Sequence, residues 1–225
     1  MTQLHTINNY GTATITRHDA LLVIDMQYDF IPGGSLPVAE GDTIVKPIAH
    51  LMEQFFIKGA TVVCTQDWHP SGHRSFASTH GKHPYDPINE PGIGPVLWPD
   101  HCVIGTKGAS LHDKLPAHFC HAIVRKGYNI NIDSYSAFLE NDKKTATGLS
   151  GYFSNRGVKR IFVCGLAFDY CVHFSAVDGA SAGFEAVVIT DCSKAVNSPA
   201  TSVDDAIANM KAHNVTFCSS ADLSF

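Results

Sequence analysis

The chain alternates short, unbroken apolar runs with longer stretches of helical spacing. Ala20-Leu21-Leu22-Val23-Ile24 is apolar throughout and ends at Asp25. Ala60 to Thr65 ends at Gln66 and Asp67, and Ala122-Ile123-Val124-Arg125 ends at Lys126 and Gly127. Ile161-Phe162-Val163-Cys164 stops at Gly165, Phe184 to Thr190 stops at Asp191, and Val215-Thr216-Phe217 is a last short run. Runs of this kind, without alternation, predict strands buried on both faces, the habit of a parallel sheet. Between them, Ile44, Ile48, Leu51, Met52 and Phe55 share one helix face, which Gly59 closes. Leu149, Tyr152 and Phe153 mark a short helix within 145–155. Val172, Ala176, Val177 and Ala180 mark another, with Asp169 placed to cap it. Val203, Ile207 and Met210 mark a last one, entered at Ser198-Pro199 with Pro at the first helical position. Residues 1–19 form a polar lead-in with at most a short edge strand. From Trp68 to Gly108 the chain is rich in His, Pro and Gly and keeps no period; a loop of this length inside a compact domain is usually functional. Strands alternating with helices predict the α/β class: one domain over 1–225, a doubly wound, mostly parallel sheet with helices on both faces.

Composition narrows the partners. Hydrophobic residues make up 44% and charged residues 16% of 225, enough for a sizeable core. The net charge of −5 argues against nucleic acid or a membrane surface as partner. No apolar run approaches the roughly 20 residues of a membrane helix, and Met1 to Arg17 lacks the apolar centre of a signal peptide. The cysteines number seven, an odd count with no CxxC pair, which points to a reducing, cytoplasmic compartment. No GxGxxG follows the first strand, so a dinucleotide site is disfavoured. The histidines cluster between His69 and His121, which makes that region the first place to look for a metal or a proton-transfer group.

In an open parallel sheet, ligands bind beyond the carboxyl ends of the strands. Asp25, Asp67 and Lys126 stand at three such ends, and a fourth strand leads into Cys171. Cys171 falls in the first turn of a predicted helix, where free N–H groups and the helix dipole lower a thiol pKa and can hold an oxyanion. Against this stands the commoner role of a free cysteine, buried packing. Asp25 could take the thiol proton and return it to a leaving group, and Lys126 could stabilise the thiolate; the alternative for this pair is a plain salt bridge. His173, two residues on, projects away from Cys171, so a Cys–His pair is not indicated. Asp67-Trp68-His69 offers a carboxylate and an imidazole to one ion, with His73, His80, His83 and His101 as available third ligands. Such a set suits zinc, iron(II) or manganese(II).

Six segments occur in an order that resembles a known family. They are Asp25-Met-Gln-Tyr-Asp-Phe30, Asp67-Trp-His-Pro70, Trp98-Pro-Asp-His-Cys102, Lys126-Gly127, Asp133-Ser-Tyr-Ser-Ala-Phe138 and Gly165-Leu-Ala-Phe-Asp-Tyr-Cys-Val172. Together, from about Ala20 to Phe217, they resemble the nicotinamidases of the isochorismatase-like cysteine hydrolases. The resemblance implies a catalytic triad of Asp25, Lys126 and Cys171. It implies one divalent metal on Asp67, His69 and His101, zinc before iron or manganese, with His73 either a further ligand or an outer neighbour. It also implies a cis peptide between Leu166 and Ala167, and an oxyanion hole from the N–H groups of Ala167 and Cys171. The implied substrate is nicotinamide, hydrolysed through a thioester to nicotinate and ammonia, with pyrazinamide as a second substrate. Phe30, Trp98, Tyr135 and Ala167 would surround the ring. Another small-amide or isochorismatase-type hydrolase is the alternative, although the isochorismatase type lacks the Asp-x-His plus His set. The segment from His80 to Val96 looks longer than in compact relatives. His80, His83, His112, His118 and His121 are read as surface, and a homo-oligomer is left open.

Overall fold

The computed structural model describes residues 4–225. In chain order the strands are β1 (Ala13–Thr14), β2 (Asp19–Ile24), β3 (Thr61–Asp67), β4 (Ala122–Lys126), β5 (Arg160–Leu166), β6 (Glu185–Lys194), β7 (Thr216–Cys218) and β8 (Leu223–Ser224). The α-helices are α1 (Val45–Ile57), α2 (Leu149–Asn155), α3 (His173–Ser181) and α4 (Ser202–Ala212). Six strands form one sheet in the order β4-β3-β2-β5-β6-β7, every pair parallel, while β1 pairs with β8 in a separate two-stranded ladder.

Burial explains the legibility of the strands. Every residue of β2 and β3 is buried, as is all of β5 after Arg160. Edge strand β4 instead exposes Ile123 and Arg125. Neighbouring residues of β5 serve opposite faces. Phe162 packs edge-on against Phe55 of α1, with ring centroids 5.5 Å apart. Ile161 lies under Gly179 of α3, where any side chain would run into its Cδ1. Helices therefore cover both faces, as the alternating pattern predicts.

The chain winds outward in two directions from the pair β2 and β5. In sheets of this kind the crevice opens at that reversal, beyond the carboxyl ends of the strands. Asp25 leaves β2 there, Asp67 ends β3, Lys126 ends β4, and the turn bearing Cys171 follows β5.

Several sequence expectations are corrected. The turn after β5 is π-helical over Phe168–Val172 before α3 begins, with Ala167 O accepting from Tyr170 N and Val172 N, both at 3.1 Å. Asp169 does not cap it. Its carboxylate instead accepts from Val196 N (2.9 Å), Asn197 N (2.8 Å) and Ser202 Oγ (2.5 Å), so it fastens the loop before α4 to the Cys171 turn. Ser198-Pro199 is a cis bond outside the helix, and α4 starts at Ser202. β6 runs past Asp191 to Lys194, and β8 is a short strand that the apolar pattern does not mark. The cis Leu166-Ala167 peptide is present. Among the described residues, no helix is long and apolar enough to cross a membrane.

The stretch 68–108 holds no strand and only a 3-10 turn at Ser78–His80. It carries buried anchors of its own in Phe76, Leu97 and Trp98. Of the histidines read as surface, His83, His118 and His121 are exposed and His80 and His112 half-buried.

Candidate active site and metal centre

Lys126 is the hub of the crevice. Its ammonium, 1% exposed as a residue, stands 2.8 Å from Asp25 Oδ2 and also contacts Asp67 Oδ1. It donates to Ser134 O at 3.0 Å and to Cys171 Sγ at 3.4 Å. Asp25, Asp67 and Cys171 each present a ligand-type atom within 4.8 Å of the others. Asp25 leaves its strand in the left-handed region, with φ at 44°. A non-glycine residue there costs roughly 1–3 kcal/mol, and Thr65 holds it in place. The Thr65 hydroxyl donates to Asp25 Oδ1 at 2.5 Å and accepts from Asp25 N at 3.1 Å.

The charges sort themselves by environment. Burial raises the Asp25 carboxyl above its usual range, and the nearby charge of Asp67 adds to this against the pull of Lys126. Burial works the same way on Asp67. There the charge of Lys126, with the neighbouring His101 and His69, outweighs it and holds the carboxyl well below the usual range. Burial would strip Lys126 of its proton, yet Asp25, Asp67 and Cys171 together keep it charged. The Cys171 thiol is pushed well up, by burial first, with Asp25 and Asp67 adding and Lys126 opposing. Burial thus works against the lowered thiol pKa expected at a helix N-terminus, and it places the Cys171 thiol beside a carboxylate whose affinity for protons is raised.

Beside this group lies a second constellation. His69 Nε2 and His101 Nε2 each stand 3.7 Å from Asp67 Oδ2. The Nδ1 atom of His69 donates to Gly127 O at 2.8 Å, and that of His101 to Pro99 O at 2.8 Å. These bonds fix both rings in the tautomer that leaves an Nε2 lone pair turned toward the carboxylate, the arrangement that metal-ligating histidines require. One carboxylate oxygen and two imidazoles, all buried, fit a divalent ion. Gly127, at φ +69°, lets the His69 ring rest on its backbone, where a Cβ would strike the imidazole. His101 is brought in by the loop: His69 N donates to Cys102 O (3.0 Å) and Cys102 N donates to Asp29 Oδ2 (2.7 Å). His73 sits beside His69, ring centroids 4.4 Å apart, but outside the Asp67 trio. Its nitrogens are engaged by Ser75 Oγ at 2.7 Å and Asn129 O at 2.9 Å, and burial with the neighbouring His69 pushes its pKa down to about 4.

A cavity opens over both groups, lined by Asp67, Trp98, His101, Tyr135 and Cys171, and also by Leu36, Asp133, Tyr170 and Val196. Trp98 Nε1 donates to Tyr135 Oη at 3.1 Å, which locks two of the predicted ring-packing residues together. Phe30 stands behind His101, ring centroids 5.5 Å apart, and packs against that imidazole rather than lining the cavity. Ala167 is buried at the cis peptide beside the Cys171 turn. Asp133 and Tyr170 lay inside recognisable segments and could have been singled out. Leu36 and Val196 come from loops and carry no chemical signal. Gln27 was also missed. Its Nε2 donates to Asp67 O (2.8 Å) and Ala109 O (2.9 Å), and its Oε1 accepts from Asp67 N (2.8 Å).

Comparison with known proteins shows the family. The family described as the isochorismatase domain matches residues 19–222. A nicotinamidase of Acinetobacter baylyi is 48% identical over 179 residues, covering 79% of this chain and 82% of that protein. The crystal structure of PnC1 from L. infantum in complex with nicotinate superposes with a TM-score of 0.82 at 37% identity, over 95% of this chain and 98% of that one. The pyrazinamidase of Pyrococcus horikoshii in complex with zinc gives 0.74 at 34% identity, over 90% and 99%.

Proposed function

The chain belongs to the isochorismatase domain family, and we propose that it forms one hydrolase domain that converts nicotinamide to nicotinate and ammonia, pyrazinamide being a second substrate. The observation that carries this reading is the junction of two groups in one crevice: Lys126 touches Asp25, Cys171 and the metal-type carboxylate Asp67 at once. The Asp67, His69 and His101 trio counts against the isochorismatase-type alternative, which the family resemblance describes as lacking that set.

Asp67, His69 and His101 would hold the ion, with zinc supported by the Pyrococcus horikoshii complex. When bound, the ion supplies a Lewis-acidic anchor for the pyridine nitrogen of the substrate. Trp98 and Tyr135 flank the ring and orient its carboxamide toward Cys171. Asp25, raised in pKa by burial, accepts the thiol proton as Cys171 Sγ attacks the carbonyl carbon. Lys126 keeps its charge throughout and stabilises the sulfur as it becomes anionic. The N–H groups of Ala167 and Cys171 receive the developing oxyanion. Asp25 returns its proton to the departing ammonia, and then activates the water that cleaves the thioester. His73 steadies His69 and is not assigned as a ligand. The seven free cysteines support a reducing, cytoplasmic setting.

The test is ammonia release from nicotinamide by purified protein, before and after chelation and metal add-back. Release that falls on chelation and returns with zinc is the expected result. No release from the metal-loaded protein would move the assignment to another small amide.

A further inference from the structure

Away from the crevice, two of the seven free cysteines meet. Cys64 Sγ lies 2.9 Å from Cys120 Sγ, against about 2.05 Å in a formed disulfide. Cys64 is on β3, and Cys120 lies in the segment that leads into β4. The approach is pinned by two hydrogen bonds between Val62 and His121, next to the pair. His121 N donates to Val62 O at 2.8 Å, and Val62 N donates to His121 Nδ1 at 3.1 Å. The two thiols are therefore held together by the fold rather than meeting by chance motion, which favours an intramolecular step over attack by free thiols.

Their environments differ in a useful way. Cys64 is buried, whereas Cys120 is half-buried, and the other five cysteines are buried. The contact between the two thiols lowers the Cys120 thiol, while the same contact and burial raise Cys64 well above the ordinary value. The less buried cysteine is thus the one that ionises more readily, and the buried one beside it is placed to resolve what forms there.

We propose that Cys64 and Cys120 are a thiol–disulfide exchange site that reacts with low-molecular-weight disulfides and closes residues 64–120 into a covalent ring. Cys120 thiolate attacks one sulfur of the small disulfide, whose S–S bond breaks, and one small thiol leaves. Cys64 then loses its proton and attacks Cys120 Sγ in the mixed disulfide, and the second small thiol leaves. The two protein sulfurs are oxidised, the small disulfide is reduced to two thiols, and the two protein protons end on those thiols. The ring so closed contains Asp67, His69 and His101, all three candidate ligands. The bond would sit three residues before Asp67 on β3, so the Asp67–Lys126 register is left as it is. The proposal is independent of which amide the enzyme cleaves.

The experiment treats the folded full-length protein with oxidised glutathione, quenches with an alkylating agent, and maps the peptides by mass spectrometry. The expected result is loss of two hydrogens and a link between the Cys64 and Cys120 peptides. Cys64→Ser should instead trap glutathione on Cys120, since nothing remains to resolve it, and Cys120→Ser should leave Cys64 unmodified. Neither residue belongs to the catalytic group, so ammonia release by the reduced variants should match the parent. Both thiols recovered fully alkylated would overturn the proposal. So would glutathione retained on Cys120 in the parent protein, or a link that forms only in denaturant.

Discussion

Removing the Lys126 ammonium should unbalance more of this structure than its place on an edge strand suggests. In Lys126→Met the stem can still fill its space, but Asp25 and Asp67 are left facing each other in a buried crevice with no cation. At 2.8 Å from Asp25 Oδ2, the lost attraction is about 6 kcal/mol at an effective dielectric of about 20. Desolvation of the lysine offsets part of that. Breaking one side of a buried ion pair typically costs about 3–5 kcal/mol, which in a protein of this size is roughly 6–20 °C of melting temperature. The sign of the pH effect follows from Asp67. Lys126 helps hold its carboxyl below the usual range, so that stabilisation is present above the unfolded pKa of about 3.9 and is lost as pH falls through the lower folded value. The gap between parent and variant should therefore be widest near neutrality and should narrow as acid protonates the stranded carboxylates. Urea unfolding of the metal-free proteins at several pH values measures both quantities. A loss under about 1 kcal/mol, or a gap that does not close in acid, would refute the electrostatic account.

Cys171→Ala should abolish ammonia release while metal content, measured by elemental analysis, stays at the parent stoichiometry, because Cys171 is not one of the three candidate ligands; retained turnover would exclude the covalent route. Burial holds the His173 imidazole below its ordinary pKa, so its contribution is complete above the unfolded value of about 6.5 and is lost as pH falls through the lower folded value. The urea midpoint should accordingly fall between about pH 7.5 and about pH 5.5, and His173→Gln, which can still meet Asn209 Oδ1, should show a smaller fall.

The chemistry at the strand ends was legible because buried parallel strands are apolar along their whole length, so a polar residue at the end is conspicuous. Asp25, Asp67 and Lys126 stood out for that reason. Cys171 stood out by its place after a strand, but its ionisation did not. A sequence shows the turn after the strand and not the depth of burial, and burial is the first cause that raises the thiol here. His101 was one of four histidines open to the role on the residues alone, and only the family resemblance singled it out. It reaches the site through an irregular loop whose path depends on distant hydrogen bonds such as Cys102 N to Asp29. Asp169 resembles a local cap in the sequence, since a sequence offers local partners first. Its actual partners lie 27–33 residues further along the chain.

Gln27 bears on how a crevice can be both open and accurate. With two bonds to the Asp67 peptide group and one to Ala109, its amide stands in for a missing rung of the ladder just past the last residue of β2. Beyond that rung the two chains are free to part and make room for a substrate. The span from Asp25 to Asp67 is set before they do. A molecule entering the crevice can therefore move the loops around it without changing the ruler against which the chemistry is aligned.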